Sequence, residues 1–208
     1  MCTTTRTDDD ILANIASRNG IKYFRGSIED KLKRWLNAAE KFNVEYIITA
    51  DGDDLFCEPK LIDMAFNQFD ISNADFIQAP GIICGAFTYG IKVSALKKVC
   101  EIKTSNQTEM MWVYFTDTGL FSVKELEGVP QHYYNNDIRM TLDYKEDLDF
   151  FKEVLRLLGK STKYVTLDEI LQIIEQNPYV KDINYFRQKE FLGNQQAKID
   201  LSIKERVK

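Results

Sequence analysis

The sequence predicts a three-layer α/β domain built on a mostly parallel sheet. Short apolar runs alternate with longer segments whose apolar residues recur at helical spacing, in the order helix, strand, helix, strand. One run, residues 44–50, breaks directly into Asp51-Gly52-Asp53-Asp54. A buried strand that ends in clustered acids puts charge at its carboxyl edge, where open α/β sheets hold their ligands. The bulk numbers agree: 208 residues, 44% hydrophobic and 28% charged, suffice for a folded core.

The first helix is expected after Asp8, with Asp9 and Asp10 in its first turn and Ile11, Leu12, Ile15 and Ala16 as its apolar face. Asn19-Gly20 reads as a left-handed C-cap. Residues 21–24 read as a short strand, and Ser27 with Asp30 as a capping box for a helix carrying Leu32, Trp35, Leu36, Ala39 and Phe42. The strand into the acids follows. Pro59 suits the first position of the next helix, which buries Leu61, Ile62, Ala65, Phe66 and Phe69. Residues 75–79 read as a strand stopped by Pro80. Between residues 82 and 92 Gly85 and Gly90 interrupt an apolar, aromatic run, read as an irregular strand or hairpin lining a pocket.

Ser94 opens a helix through Cys100, residues 106–116 look helical, and residues 120–127 alternate as a half-buried strand does. Residues 138–142 read as a final strand running into Asp143 and then a helix with Leu148, Phe151, Leu155 and Leu158, closed by Gly159. Thr166 to Glu169 is a capping box for a last apolar helix that Asn177-Pro178 stops, and residues 181–208 read as a polar, Lys-rich arm on the surface. Residues 1–160 are expected to form the α/β domain, with residues 161–208 as its C-terminal helix and extended arm.

Composition excludes several classes. The net charge of −5 argues against a nucleic-acid binder, and no apolar stretch reaches the length of a membrane span. The start, Met1 to Arg6, has no apolar h-region, and the four cysteines (Cys2, Cys57, Cys84 and Cys100) lack Cys-x-x-Cys spacing. Both features point to a reduced, cytoplasmic protein. The single His132 disfavours a His-based metal site or a Ser-His triad and reads as a surface histidine.

Asp51, Asp53 and Asp54, with no Cys or His among them, suit a hard cation such as Mg²⁺ or Mn²⁺ that also holds phosphate. Asp-Gly is also ordinary turn chemistry, and the two readings stand level on spacing. Asp143 gives a second strand-end acid, although taken alone, three residues before Glu146, it reads first as a helix cap. If the two strands are neighbours, Asp53 and Asp143 reach one metal from opposite sides.

The order of these features resembles the cytidylyltransferase family that makes CMP-activated sugars, closest to its spore-coat polysaccharide type, with CMP-KDO and CMP-sialate synthetases as more distant relatives. Four stretches carry the resemblance: Phe24-Arg25-Gly26-Ser27-Ile28-Glu29-Asp30-Lys31-Leu32-Lys33-Arg34; Gly52-Asp53 with Glu58-Pro59-Lys60-Leu61-Ile62-Asp63; Ile138-Arg139-Met140-Thr141-Leu142-Asp143-Tyr144-Lys145-Glu146-Asp147-Leu148; and Asn177-Pro178 to Asn184. It implies the fold of nucleotide-diphospho-sugar transferases (GT-A-like). It also implies transfer from CTP to a sugar or sugar acid with release of pyrophosphate. Asp53 and Asp143 are then the catalytic metal ligands for Mg²⁺ or Mn²⁺, and Arg25, Gly26, Ser27 and Asp51 lie near the nucleotide. A homodimer is implied too.

The sequence departs from that family at its start. Members open with a strand and a Gly-Ser-Arg-Leu-Pro-x-Lys loop that grips the triphosphate, and no such sequence occurs here. Met1 to Thr5 resembles the tail of the family's second strand, so a strand–helix–strand unit of roughly thirty or more residues is missing relative to the family. The expectation is therefore an N-terminally truncated relative, with little transferase activity as given, or a gap filled by another strand or chain. Two other readings stay open. Asp51-Gly52-Asp53 is an Asp-x-Asp pattern, as in metal-dependent glycosyltransferases, and a non-catalytic relative would use none of these residues.

Overall fold

The computed structural model describes residues 1–159 and 164–204. The boundary expected at 160/161 and the last four residues of the arm lie outside the described residues. Strands β1 (Cys2–Thr4) and β2 (Phe24–Gly26) pair in parallel as a sheet of their own, with α1 (Asp10–Arg18) between them in sequence. Helix α2 (Lys31–Phe42) follows, and then β3 (Tyr46–Ile48), α3 (Pro59–Ile71), β4 (Phe76–Gln78), β5 (Gly90–Lys92) and α4 (Val93–Ile102). The chain continues through α5 (Val113–Thr116), β6 (Val123–Glu125), α6 (Lys145–Leu158), α7 (Leu167–Gln176), α8 (Tyr179–Asp182) and α9 (Gln188–Ala197).

The second sheet has the order β3-β5-β4-β6. Strands β3, β4 and β6 share one direction, and β5 runs against them. The α/β class holds, with a mixed sheet carrying a single antiparallel strand. Side chains alternate across it as a pleat requires. Phe76, Ile91 and Ile47 face one core with Leu32, Leu36 and Leu96 of α2 and α4. Ile77, Tyr46 and Ile48 face the other, with Leu61, Phe150, Val154 and Ile170 of α3, α6 and α7. Two helical layers thus sandwich the sheet.

Local chemistry explains most boundaries. Asp30 caps α2 by accepting from Lys33 N, while Ser27 Oγ takes the Asp30 N–H, and Asn43 closes the helix at φ 52°. Pro59 opens α3, whose cap Glu58 is buried and also accepts from Leu167 N at 2.7 Å, tying α3 to α7. The capping box at Thr166 and Glu169 forms as expected.

Four expectations need correction. A 3-10 turn at Thr7–Asp9 precedes α1, and Ile11 on its apolar face is 64% exposed, because Ala13 and Ala16 make its packed side. Only Val113–Thr116 of the 106–116 segment is helical. The 138–142 segment is extended with a single bridge, Arg139 to Cys84, rather than a strand. Within the polar arm, residues 188–197 form α9, which packs back toward the rest of the fold through Phe191 and Gln188.

The split between the two sheets leaves β1 and β3 as edge strands, and both edges line one cleft. Thr49 N donates to Tyr89 O, and Glu45 O accepts from Val93 N, so the odd residues of this segment bond β5. The amides of Tyr46 and Ile48 therefore point to the cleft. Hydrogen exchange followed by NMR is expected to be at least tenfold faster at Tyr46 and Ile48 than at Ile47 and Thr49, where ladder bonds protect the amide. Equal protection of all four would mean that the β3 edge is covered.

Candidate active site

The cleft encloses about 1270 Å³ and collects residues from distant parts of the chain. Strand β3 delivers Asp51, Asp53 and Asp54 to its rim, and the 138–142 segment delivers Asp143. Backbone bonds bring these two segments together. Met140 N donates to Cys84 O at 2.8 Å, and Leu142 N donates to Asp53 O at 3.0 Å. Gly85 permits this close passage: at φ +87° its Cα faces the Met140 carbonyl, and any Cβ would overlap that carbonyl and crowd Asp54 Oδ1. Asp143 thus sits one residue beyond a hydrogen bond to Asp53, so the two acids that the sequence paired line one cleft.

Carboxylate oxygens of Asp51, Asp53 and Asp54 lie within 4.8 Å of one another. Oxygen donors at that spacing, without sulfur or imidazole, fit a hard divalent cation. Burial, and then repulsion from neighbouring acids, is visible in the acidities of Asp53 and Asp54. Burial raises the Asp53 pKa first, and the charges of Asp51 and Asp143 raise it further. Asp54 is pushed up to about 7, by burial and then by Asp53 and Asp51. Burial also raises the neighbouring Cys57 thiol to about 11 and Cys84 to about 12, so both are thiols rather than thiolate ligands near neutral pH.

Two cationic groups answer the acids, and both stood in the stretches that carry the resemblance without a role assigned to them. Lys31, at the start of α2, places Nζ 3.3 Å from Asp51 Oδ2 and 4.9 Å from the centre of the Trp35 ring. The Lys-x-x-x-Trp spacing on one helix face was the available signal. Arg139 is wholly buried. Its Nε and Nη2 meet the two oxygens of Asp147 at 3.0 and 3.1 Å, and Nη2 also meets Asp143 Oδ2 at 2.6 Å. Burial alone would raise the Asp147 carboxyl, but the bonds from Arg139, Asp143 N and Tyr144 N outweigh it and hold its pKa below the ordinary value. Tyr144 is the N-cap of α6, and Asp147 in the first turn closes the capping box, its Oδ2 accepting from both Tyr144 N and Asp143 N. The capping alternative for Asp143 is thereby removed, and its side chain is left in the cleft wall.

Arg25, Gly26 and Ser27 do not join this group and do not line the cleft. Arg25 spends its donors on Thr4 O, Arg6 O and Asp10, which clamps β2 to the chain before α1. Gly26 is packed where a Cβ would meet Phe24 and Arg34, and Ser27 supports the α2 cap. His132 is an exposed residue paired with Asp168 at 2.8 Å, and the four cysteines are free thiols.

Comparison with known proteins now bears on this arrangement. The chain is 24% identical in sequence to a solved cytidylyltransferase from Leptospira borgpetersenii, with a TM-score of 0.75 over 85% of this chain and 75% of that one. Its fold is that of a cytidylyltransferase. It is 25% identical over 181 residues to the spore coat polysaccharide biosynthesis protein SpsF of Bacillus subtilis, covering 86% of this chain and 75% of SpsF. It is 28% identical over 196 residues to the uncharacterized protein MJ1063 of Methanocaldococcus jannaschii, covering 92% of this chain and 79% of that protein. No family model matches the chain. The family resemblance read from the sequence agrees with these comparisons: the chain is similar to SpsF and has the fold of a cytidylyltransferase.

The Asp54 acidity fixes a pH dependence. Its pKa is 3.8 as an isolated group and about 7 in the fold, so the folded state binds the extra proton across that window. The stability that Asp54 contributes to the metal-free protein is therefore lost as pH rises from about 4 through about 7. Thermal melts are expected to show this slope in the native chain and a flatter one in Asp54→Asn. A slope in the native chain no steeper than in Asp54→Asn would contradict the assignment.

Proposed function

We propose that the chain is a divalent-cation-dependent nucleotidyltransferase that activates a sugar or sugar acid with CTP, with release of pyrophosphate, for surface-polysaccharide synthesis. The observation that supports the reading is that Asp53 and Asp143 line the same cleft, on segments joined by the Leu142 N to Asp53 O bond. The cytidylyltransferase fold and the similarity to SpsF support it.

In this reading Asp53 and Asp143 hold Mg²⁺ or Mn²⁺, with Asp51 and Asp54 beside them. When bound, the ion neutralises phosphate charge and lowers the cost of charge at the attacking oxygen. The other steps belong to the protein. Lys31, braced on Trp35, exchanges its partner Asp51 for a phosphate oxygen. Met110, Met111 and Trp112, with Phe191 and Leu192, line the cleft with apolar surface that excludes water from the substrates. The acceptor hydroxyl oxygen bonds to the α-phosphorus in line, and the bond from phosphorus to the bridging oxygen breaks. Pyrophosphate carries off that electron pair, and the hydroxyl proton is released to the bulk solvent outside the cleft. Positioning and charge compensation dominate such transfers.

Turnover by the 208-residue chain is expected to be slow. Arg25 is committed to Thr4 O, Arg6 O and Asp10, which leaves Lys31 as a cation of the cleft that can meet phosphate. We also propose, from the resemblance alone, a cytoplasmic homodimer.

A second reading is favoured by one observation. The tight Asp51, Asp53 and Asp54 cluster suits the diphosphate of a sugar nucleotide in an Asp-x-Asp glycosyltransferase. Calorimetry and a pyrophosphate-release assay separate the readings. Asp53→Asn is expected to weaken Mg²⁺-dependent CTP binding at least tenfold, on the order of 1.4 kcal/mol. Unchanged binding would leave a non-catalytic relative. Consumption of a sugar nucleotide, with no pyrophosphate from CTP across acidic and neutral sugars, would favour the glycosyltransferase.

A further inference from the structure

We propose that Arg139 is the positioning residue that sets Asp143 for cation binding. The inference rests on the reading of the cleft as a nucleotidyltransferase site and adds to it a residue with no contact to substrate or cation. The guanidinium is immobilised on every side. It forks onto both oxygens of the fully buried Asp147, and Nη1 donates to Gln188 Oε1 at 3.2 Å. The Phe191 ring lies 4.2 Å away across its face. Asn184 donates to Arg139 O at 3.0 Å and to Asp147 Oδ1 at 2.9 Å, which fixes the backbone and the carboxylate of the pair together.

That rigid pair grips Asp143 at two points. Asp147 Oδ2 accepts the Asp143 backbone N–H at 2.9 Å, and Arg139 Nη2 donates to Asp143 Oδ2 at 2.6 Å. Thr141 Oγ1 reaches the same Oδ2 at 3.3 Å. Among the described residues, no donor meets the other oxygen of Asp143, and its side chain is 31% exposed in the cleft wall. One oxygen is therefore anchored inward and one is left for the cleft. The charges sum in the same sense. Arg139 and Asp147 cancel as a buried pair, so Asp143 carries the net negative charge of the group to the side where Asp51, Asp53 and Asp54 stand. Partners that orient a ligating carboxylate in this way commonly matter to metal affinity nearly as much as the ligand does.

The test is Mn²⁺ affinity of the full chain by electron paramagnetic resonance titration, alongside thermal melts. Arg139→Lys keeps the charge but loses the planar fork, and is expected to weaken Mn²⁺ binding by about 10- to 100-fold. In the double variant with Asp143→Asn, Arg139→Lys is expected to add no further loss, because it acts through Asp143. Should Arg139→Lys fail to fold, the double variant Gln188→Met, Phe191→Leu loosens the guanidinium while leaving its buried pair intact, and a several-fold loss is expected. A lowered melting temperature with Mn²⁺ affinity unchanged in the folded variant overturns the inference and leaves the nucleotidyltransferase reading standing. Absence of Mn²⁺ binding by the native chain sinks that reading and this inference with it.

Discussion

The buried ion pair between Arg139 and Asp147 is the interaction on which the cleft depends. It stands at the crossing of three separate stretches of chain. Arg139 belongs to the extended 138–142 segment, Asp147 to the first turn of α6, and their partners Asn184, Gln188 and Phe191 to the C-terminal region. Such a pair is poor as a source of raw stability, because desolvation offsets most of its attraction. Its effect is specificity of arrangement. Loss of one partner would strand a charge in the core at a cost of about 3–5 kcal/mol, so the three stretches are held in one register. The bridge from Arg139 to Cys84 and the bond from Leu142 N to Asp53 O then follow from that register.

The sheet sets the second constraint. Strand β5 runs antiparallel between β3 and β4, and its Gly90 sits where a Cβ would press on Phe69 and Ile48. The chain before β5 must therefore cross the carboxyl edge of the sheet, and it does so as the loop carrying Cys84 and Gly85. That loop forms one wall of the acidic cleft. The opposite wall comes from residues 109–112, linked to the end of α9 by the Lys198–Glu109 ion pair at 2.9 Å. Between them lie the free edges of β1 and β3, so the cleft is lined partly by backbone that a further strand could pair with.

Much of this was legible in the residues, for physical reasons that differ by element. Helices α2, α3, α6 and α7 announce themselves through caps and apolar spacing, because local bonds at Asp30, Pro59 and Thr166 decide their ends. The acids at 51–54 and 143 were visible as strand-end charge. What the sequence hid was tertiary. The 138–142 segment has the composition of a strand, yet it forms one bridge only, because Gly85 brings a loop rather than a strand against it. The face of α1 that periodicity marked as buried is exposed at Ile11, since nothing among the described residues packs over it. Arg25 looked free for phosphate, but its donors are taken by carbonyls and Asp10, partners a linear reading cannot see. Arg139 was quoted only as part of a resemblance, because its partners lie four, eight, 45 and 49 residues away.

The central claim is that one cation bridges the 51–54 turn and the 138–143 segment. Anomalous diffraction from crystals soaked in Mn²⁺ tests it most directly. The account predicts one strong peak in the cleft within ligand distance of carboxylate oxygens from both Asp53 and Asp143. A peak held by Asp51, Asp53 and Asp54 with Asp143 turned away, or no peak in the cleft at all, would contradict it.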